Sequence, residues 1–233
     1  MFDHGWVLLS SSSGVRPLPP ADAVRKLQER VNSMQGRPAA QPVATHPALS
    51  GLLTLQTGGV YGVDTASLAM VLMAGPSADG AWCAVVGSTD FGSVAAREMG
   101  IELSRTLLVP DPGDAWLEVT AALVDVLGVV VVRPPAAIAQ RDAERLAARL
   151  RRRGGILVAW GEWPRCDARL SVDEVHWAGA GRGHGHLMSR RATVAVQRGS
   201  APPRRGTLWM PDADLVVRRA EAFVTPLSTR GVG

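Results

Sequence analysis

The chain has 233 residues, of which 46% are apolar, 20% charged and 5% aromatic, and this composition excludes a disordered, collagen-like or disulfide-rich protein. At this length roughly 70% of the unfolded surface can be buried, so an aliphatic core suffices without a structural metal. Cys83 and Cys166 form no CxxC pair, which excludes a cysteine metal cluster; we expect both to be buried. The sequence predicts neither a signal peptide nor a membrane span, and we expect a cytoplasmic protein.

The net charge of +4 is unevenly distributed and comes almost wholly from arginine. Residues 1–132 hold 7 basic and 12 acidic side chains, a balance of −5, whereas residues 133–233 hold 18 basic and 9 acidic ones, a balance of +9. No acidic residue lies between Glu174 and Asp212. Coding bias would explain the choice of arginine but not the missing acids, and such a segment favours phosphate or an acidic partner.

The N-terminal part of the chain is predicted to hold one helix between two irregular segments. Residues 1–19 are rich in Ser and Pro and predict a mobile tail. Residues 20–36 predict an amphipathic helix, and residues 37–50 a Pro-rich linker. The apolar positions of the helix recur every three or four residues, and they could pack on the protein's own core or on a partner subunit: Val24, Leu27, Val31 and Met34.

Strands and helices alternate from residue 51 to residue 219, which predicts one core domain followed by a C-terminal tail over 220–233. This alternation is typical of a doubly wound, mostly parallel α/β sheet with helices on both faces. The predicted strands are Leu52–Gln56, Trp82–Val86, Thr106–Val109, Val129–Val132 and Ile156–Trp160. A turn over Gly58–Asp64 and the helices Thr65–Ala74, Phe91–Met99 (with Asp90 as N-cap), Asp111–Val126 and Pro135–Arg153 connect them. Four shorter, antiparallel strands extend the sheet: Arg169–Trp177, Ala192–Gln197, Thr207–Met210 and Leu215–Arg218.

The predicted turn after the first strand occupies the place of a nucleotide-binding P-loop without its chemistry. The G-x-x-x-x-G-K-[ST] motif needs a lysine for the phosphates and a hydroxyl for magnesium. If the motif starts at Gly59, its last three positions hold Asp64, Thr65 and Ala66. The magnesium-binding acid expected after the hydrophobic strand is replaced by Arg133. We therefore predict no catalytic residue, no cofactor and no metal, with a residual nucleotide-binding enzyme as an alternative.

The segment from Leu52 to about Ile138 resembles the RecA core, most clearly over 94–101 and 129–133. In that register the catalytic glutamate of RecA falls on Ser88, a third departure from nucleotide chemistry. Over about residues 20–220, including the stretches 183–187, 190–191 and 208–211, the chain resembles the ImuA-prime type, the RecA-like accessory proteins of the mycobacterial mutasome.

The resemblance implies an adaptor rather than an enzyme, acting in damage-induced translesion synthesis, the SOS mutagenesis response. Its implied partners are an ImuB-type inactive Y-family polymerase homologue and an error-prone replicative-type polymerase. In RecA-type assemblies the N-terminal helix docks on a neighbouring core, so the resemblance makes the four apolar helix positions candidates for partner binding.

The alternative from the residues themselves is a basic module that binds single-stranded DNA directly. The loop over 179–186 could present backbone N–H groups to phosphate, or could bind a protein or simply connect two strands. The candidate DNA-binding residues are Arg182, His184, Arg190, Arg191, Arg204 and Arg205. A metal held by His176, His184 and His186 is not expected, because no nearby carboxylate or thiol completes the set.

Two further groups of residues have a structural and a functional interpretation. Arg141, Arg145, Arg149 and Arg153 form one stripe of a predicted helix, which is either a solvated face or a contact for an acidic partner or DNA. Trp160, Trp163 and Trp177 are predicted to pack in the protein rather than to form a stacking platform.

Overall fold

A computed structural model describes residues 39–179 and 187–220 of the chain. The contacts divide the chain into residues 1–39 and a larger unit from residue 40 onward, which contains all the elements named below. The predicted tail over 1–19, the helix over 20–36 with Val24, Leu27, Val31 and Met34, and the tail over 221–233 lie outside the described residues. So do Arg182 and His184 of the predicted loop.

The described part alternates strands and helices over most of its length. Four α-helices are present in it: α1 Ala66–Ala78, α2 Ser93–Glu98, α3 Trp116–Val124 and α4 Gln140–Arg153. The strands are β1 Pro42–Val43, β2 Leu55–Gln56, β3 Val60–Val63, β4 Cys83–Val86, β5 Thr106–Val109, β6 Val129–Val132, β7 Ile156–Trp160, β8 Ala168–Ala178, β9 Ser189–Gln197, β10 Arg204–Trp209 and β11 Arg218–Arg219. Short 3₁₀ helices span Pro47–Leu49, Leu103–Arg105 and Gly113–Ala115. None of the described helices has the length and apolar character needed to cross a bilayer.

Nine of these strands form one sheet in the order β11-β10-β9-β8-β3-β7-β6-β4-β5. Within this order, neighbouring strands among β8, β3, β7, β6, β4 and β5 pair in parallel. Strands β8, β9, β10 and β11 pair antiparallel to one another. This arrangement confirms a mixed α/β fold with a large, mostly parallel sheet, and it confirms that the later strands extend that sheet. Strands β1 and β2 form a separate antiparallel pair.

Two hydrophobic clusters lie on opposite faces of the sheet. The first contains residues of α1, Ala96 of α2 and the inward residues of β3, β4 and β6 to β10. The second contains residues of α3 and α4, such as Val124, Leu146 and Leu150, packed on β4, β6 and β7. Parallel strands covered on both faces need apolar side chains in both directions, which is why all four residues of β6 are buried.

The Pro-rich segment preceding the core is not wholly a linker, and this differs from the prediction for residues 37–50. Strand β1 pairs with β2, and the Thr45 hydroxyl accepts a hydrogen bond from the Leu55 amide at 3.0 Å. Leu49 is fully buried in the first cluster. The prolines limit the regular structure that this segment can form, but residues from 40 onward belong to the core unit.

Several element boundaries move by a few residues. Helix α4 begins at Gln140 rather than Pro135, and the backbone of its N-cap residue Ala139 is extended. The predicted strand Leu52–Gln56 is reduced to β2. The predicted strand Leu215–Arg218 is reduced to β11, since Asp212 accepts hydrogen bonds from the amides of Asp214 and Val216 and folds that segment into a turn.

Candidate functional site

The carboxyl ends of the central parallel strands bring the predicted nucleotide-chemistry positions to one edge of the sheet. Val63 of β3 pairs with Trp160 of β7, and Val86 of β4 pairs with Val132 of β6. Ser88 and Arg133 follow β4 and β6 respectively. In open α/β sheets this edge is where ligands bind. This edge is therefore the candidate site.

The predicted turn over Gly58–Asp64 is wrong, because most of it is the buried central strand β3. All four residues of β3 are buried, including Gly62. A Cβ atom on Gly62 would lie 3.0 Å from the sulfur of Cys166 and 3.0 Å from the guanidinium carbon of Arg169. Gly62 is thus needed for side-chain packing against the strand, and Gly59 lies at the other end of β3 from α1.

Only two residues, Asp64 and Thr65, connect β3 to α1, and both have structural partners. Thr65 is the N-cap of α1, and its hydroxyl accepts a hydrogen bond from the Leu68 amide at 3.4 Å. A carboxylate oxygen of Asp64 accepts a hydrogen bond from the Val172 amide at 3.0 Å, which ties this connection to β8. Ala66 is the first residue of α1. Because the connection is so short, no loop is present here that could surround a phosphate group.

Arg133 lies where a magnesium-binding acid was expected, and its guanidinium group contacts two neighbouring side chains. Its guanidinium carbon is 4.5 Å from the centre of the Trp160 ring, a cation–π contact. One guanidinium nitrogen is 3.0 Å from a carboxylate oxygen of Asp90. Gly87 permits the close approach of the Arg133 backbone. Its φ is +79°, and a Cβ there would lie 2.3 Å from the Arg133 carbonyl oxygen.

Asp90 belongs to this cluster and is not the N-cap of the following helix, which corrects the prediction. The N-cap of α2 is Gly92, which has no side-chain cap. The Ser88 hydroxyl donates to Asp90 at 3.0 Å. That hydrogen bond is the first cause that lowers the pKa of Asp90, and Arg133 lowers the pKa further. The sequence did not indicate that Asp90 contacts Ser88 and Arg133, because an acidic residue before a predicted helix is equally typical of an N-cap.

Arg190 reaches the first turn of α1 from the neighbouring strand β9. Its guanidinium donates to the Ser67 hydroxyl at 3.1 Å and lies 5.7 Å from the centre of the Trp177 ring. Trp177 is 55% exposed, so its predicted role as a packing residue is wrong, whereas Trp163 is buried as predicted.

The other predicted cationic residues have different surroundings. Arg205 forms an ion pair with Asp173 at 2.8 Å. Arg191 and Arg204 have no ion pair within the part of the chain that the structure describes. In the α4 stripe, Arg149 and Arg153 both contact Asp125, and Arg145 contacts Asp142; Arg141 is exposed.

The cysteines and the metal-binding residue types give no separate site in the described ranges. Cys83 is buried as predicted, and desolvation raises its pKa to about 11. Cys166 is partly buried. No group of three or more His, Cys, Asp or Glu side chains among residues 39–179 and 187–220 is arranged to hold a metal ion.

The fold defines a class of α/β proteins with a large, mostly parallel sheet, and comparison with known proteins gives the family. Residues 48–165 match the MT3502 N-terminal domain family, and the chain belongs to that family. It is also 34% identical over 135 residues to the uncharacterized protein Rv3395c of Mycobacterium tuberculosis (strain ATCC 25618 / H37Rv). This match covers 57% of the chain and 62% of that protein, so the chain spans less than two thirds of its relative.

Proposed function

We propose that the protein is a RecA-like adaptor without nucleotide chemistry, which acts in damage-induced translesion DNA synthesis by protein–protein contacts. Its partners in this proposal are an ImuB-type inactive Y-family polymerase homologue and an error-prone replicative-type polymerase. The partners are taken from the resemblance over residues 20–220. The loss of nucleotide chemistry is inferred from the residues of the candidate site.

The observation that carries the proposal is the replacement of a phosphate-binding loop by a strand and a two-residue connection. P-loop binding depends on a run of backbone N–H groups in a glycine-rich loop that faces the phosphates. In this chain the backbone of Val60–Val63 is paired on both sides with β7 and β8. Thr65 and Arg133 already have partners. In this proposal the core acts by binding other proteins through its surface rather than by hydrolysing a nucleotide.

Co-expression of the full chain with the ImuB-type homologue from the same genome tests the adaptor role. We expect the two proteins to elute together in size-exclusion chromatography without added nucleotide. The variant pair Leu27→Glu and Val31→Glu, on the apolar stripe of the predicted N-terminal helix, should weaken the complex if that helix docks on the partner. Gln28→Glu and Asn32→Glu introduce the same charges beside the stripe and are the matched control.

Two outcomes would count against the proposal. Absence of a complex, both with and without DNA, would contradict the adaptor role. Calorimetric titration with ATP and magnesium should give no binding heat above dilution, and tight magnesium-dependent binding would contradict the loss of nucleotide chemistry. The two measurements are independent, so either half of the proposal can fail alone.

A further inference from the structure

A groove lies on the antiparallel part of the sheet, on the face opposite the first hydrophobic cluster. It has a volume of about 640 Å³ and is lined by residues of β8 to β11. The second cluster, which covers this face of the sheet at β4, β6 and β7, contains no residue of β9 or β10. Of the described helices, none contributes a residue to the lining of this groove.

Four side chains form one row across this groove, one from each strand. His176 pairs with Arg191, Arg191 pairs with Trp209, and Trp209 pairs with Arg218. Directly paired residues of adjacent strands project from the same face, and adjacent strands are about 4.8 Å apart, so the row is about 14 Å long. Trp209 thus lies between two arginines. The next row on the same face offers hydrogen-bonding groups: Glu174, Thr193 and Thr207.

The charge of the groove is mainly positive and partly uncompensated. Arg191, which lines the groove, forms no ion pair with any described residue. Arg218 contacts Asp212, whose side chain is only 4% exposed, while the Arg218 side chain is itself 57% exposed. The buried carboxylate therefore orients a cation that still faces solvent. Glu174 is the one carboxylate among the lining residues.

We propose that this groove binds single-stranded nucleic acid, with a base against the Trp209 ring and phosphates at Arg191 and Arg218. An aromatic ring between cations on an open antiparallel sheet is the arrangement by which proteins hold unpaired bases. An acidic peptide could form ion pairs with the arginines, but its carboxylates would be repelled by Glu174. Bases can donate to the Glu174 carboxylate, thymine and uracil from the ring N3–H and the other bases from an exocyclic amino group. The inference goes beyond the adaptor role and does not depend on it.

The test measures binding of the full chain to fluorescein-labelled oligo(dT) and oligo(U) of about twelve nucleotides, by fluorescence anisotropy at low salt. We expect Arg191→Glu to weaken binding about tenfold or more. Trp209→Leu should weaken it about tenfold, because one stacked base is lost, while Trp209→Phe keeps a ring and most of the affinity. Arg141→Glu makes the same charge change on the exposed face of α4 and should alter affinity by less than about twofold.

Each remaining outcome decides for or against the groove. Binding of both oligonucleotides, or a preference for DNA or for RNA, supports the proposal and identifies the natural form. Absence of binding at about 100 µM protein, the weak end of non-specific affinity, overturns it. So does an equal loss in Arg141→Glu and Arg191→Glu. Displacement by polyglutamate together with an unaffected Trp209→Leu variant would assign the groove to an acidic peptide and also overturn it.

Discussion

Asp212 is a buried carboxylate that organises the turn between β10 and β11. It accepts hydrogen bonds from the amides of Asp214 and Val216, each at 2.9 Å, and it contacts Arg218. The hydrogen bond from Val216 is the first cause that lowers the pKa of Asp212, and Arg218 adds to the effect. A carboxylate with a lowered pKa stabilises the fold at neutral pH, and that contribution is lost as the pH falls through the folded-state pKa.

We predict that Asp212→Asn lowers the urea midpoint of unfolding at pH 7, because the amide cannot balance Arg218 or accept with both oxygens. The difference from the natural chain should shrink as the pH falls from the ordinary aspartate pKa of about 3.9, where this carboxylate in the unfolded chain begins to bind a proton, through the lowered folded-state pKa. Urea unfolding at pH 7 and about pH 3 measures this. Asp214→Asn at the exposed neighbour is the control. A midpoint difference that does not depend on pH would contradict the electrostatic explanation.

At the scale of elements, the 3₁₀ turn Pro47–Leu49 determines where the core begins. Leu49 is fully buried among the residues of the first cluster. We predict that Leu49→Ala lowers the free energy of unfolding by about 2–5 kcal/mol, the cost of removing a buried leucine side chain. Chemical denaturation of the full chain measures the change. Thr54→Ala, on a neighbouring exposed residue, should stay within about 0.5 kcal/mol. A similarly small effect at Leu49 would show that this segment is a linker after all.

The bounds of β5 and β6 match the prediction to the residue, and β6 is a run of four β-branched valines. A buried parallel strand needs apolar residues on both faces, and the sequence records that need directly. Strand β3 was missed because Gly59 and Gly62 favour a turn locally, whereas packing of Arg169 and Cys166 against Gly62 determines the outcome. The contact between Asp90 and Arg133 joins residues 43 positions apart, and its distance cannot be obtained from local sequence.

The connection between β3 and α1 also predicts what restoring the motif would achieve. The variant Asp64→Gly, Thr65→Lys, Ala66→Ser recreates the last three motif residues, and Arg133→Asp would supply the missing acid. We predict that a chain with all four changes still binds no ATP, because the preceding motif positions remain in a paired strand instead of a loop. Calorimetry with ATP and magnesium measures this, with circular dichroism as the control for folding. Micromolar binding would contradict this prediction. It would show that the chain lacks only the side chains of the motif and that its backbone can still surround the phosphates.

Over the whole molecule, the order of strands separates charge along the sheet. Residues 39–132, which include β4 and β5 at one end, hold 2 basic and 9 acidic side chains. Residues 168–179 and 187–220, which form β8 to β11 at the other end, hold 8 basic and 4 acidic ones. A polyanion is therefore attracted to the end that contains the groove and repelled from the opposite end.

This separation predicts how binding of oligo(dT) depends on salt. Each phosphate neutralised on a single strand contributes about −0.7 to the slope of log K against log[salt]. Contacts with Arg191 and Arg218 would therefore give a slope of about −1.4 for the natural chain. Arg191→Glu should make the slope shallower by about 0.7 or more, since one contact is removed and a like charge is added beside the strand. Trp209→Leu should weaken binding with an unchanged slope, because stacking releases no counterions. Anisotropy titrations at several salt concentrations separate the two effects, and a slope near zero in the natural chain would contradict an electrostatic role for this end of the sheet.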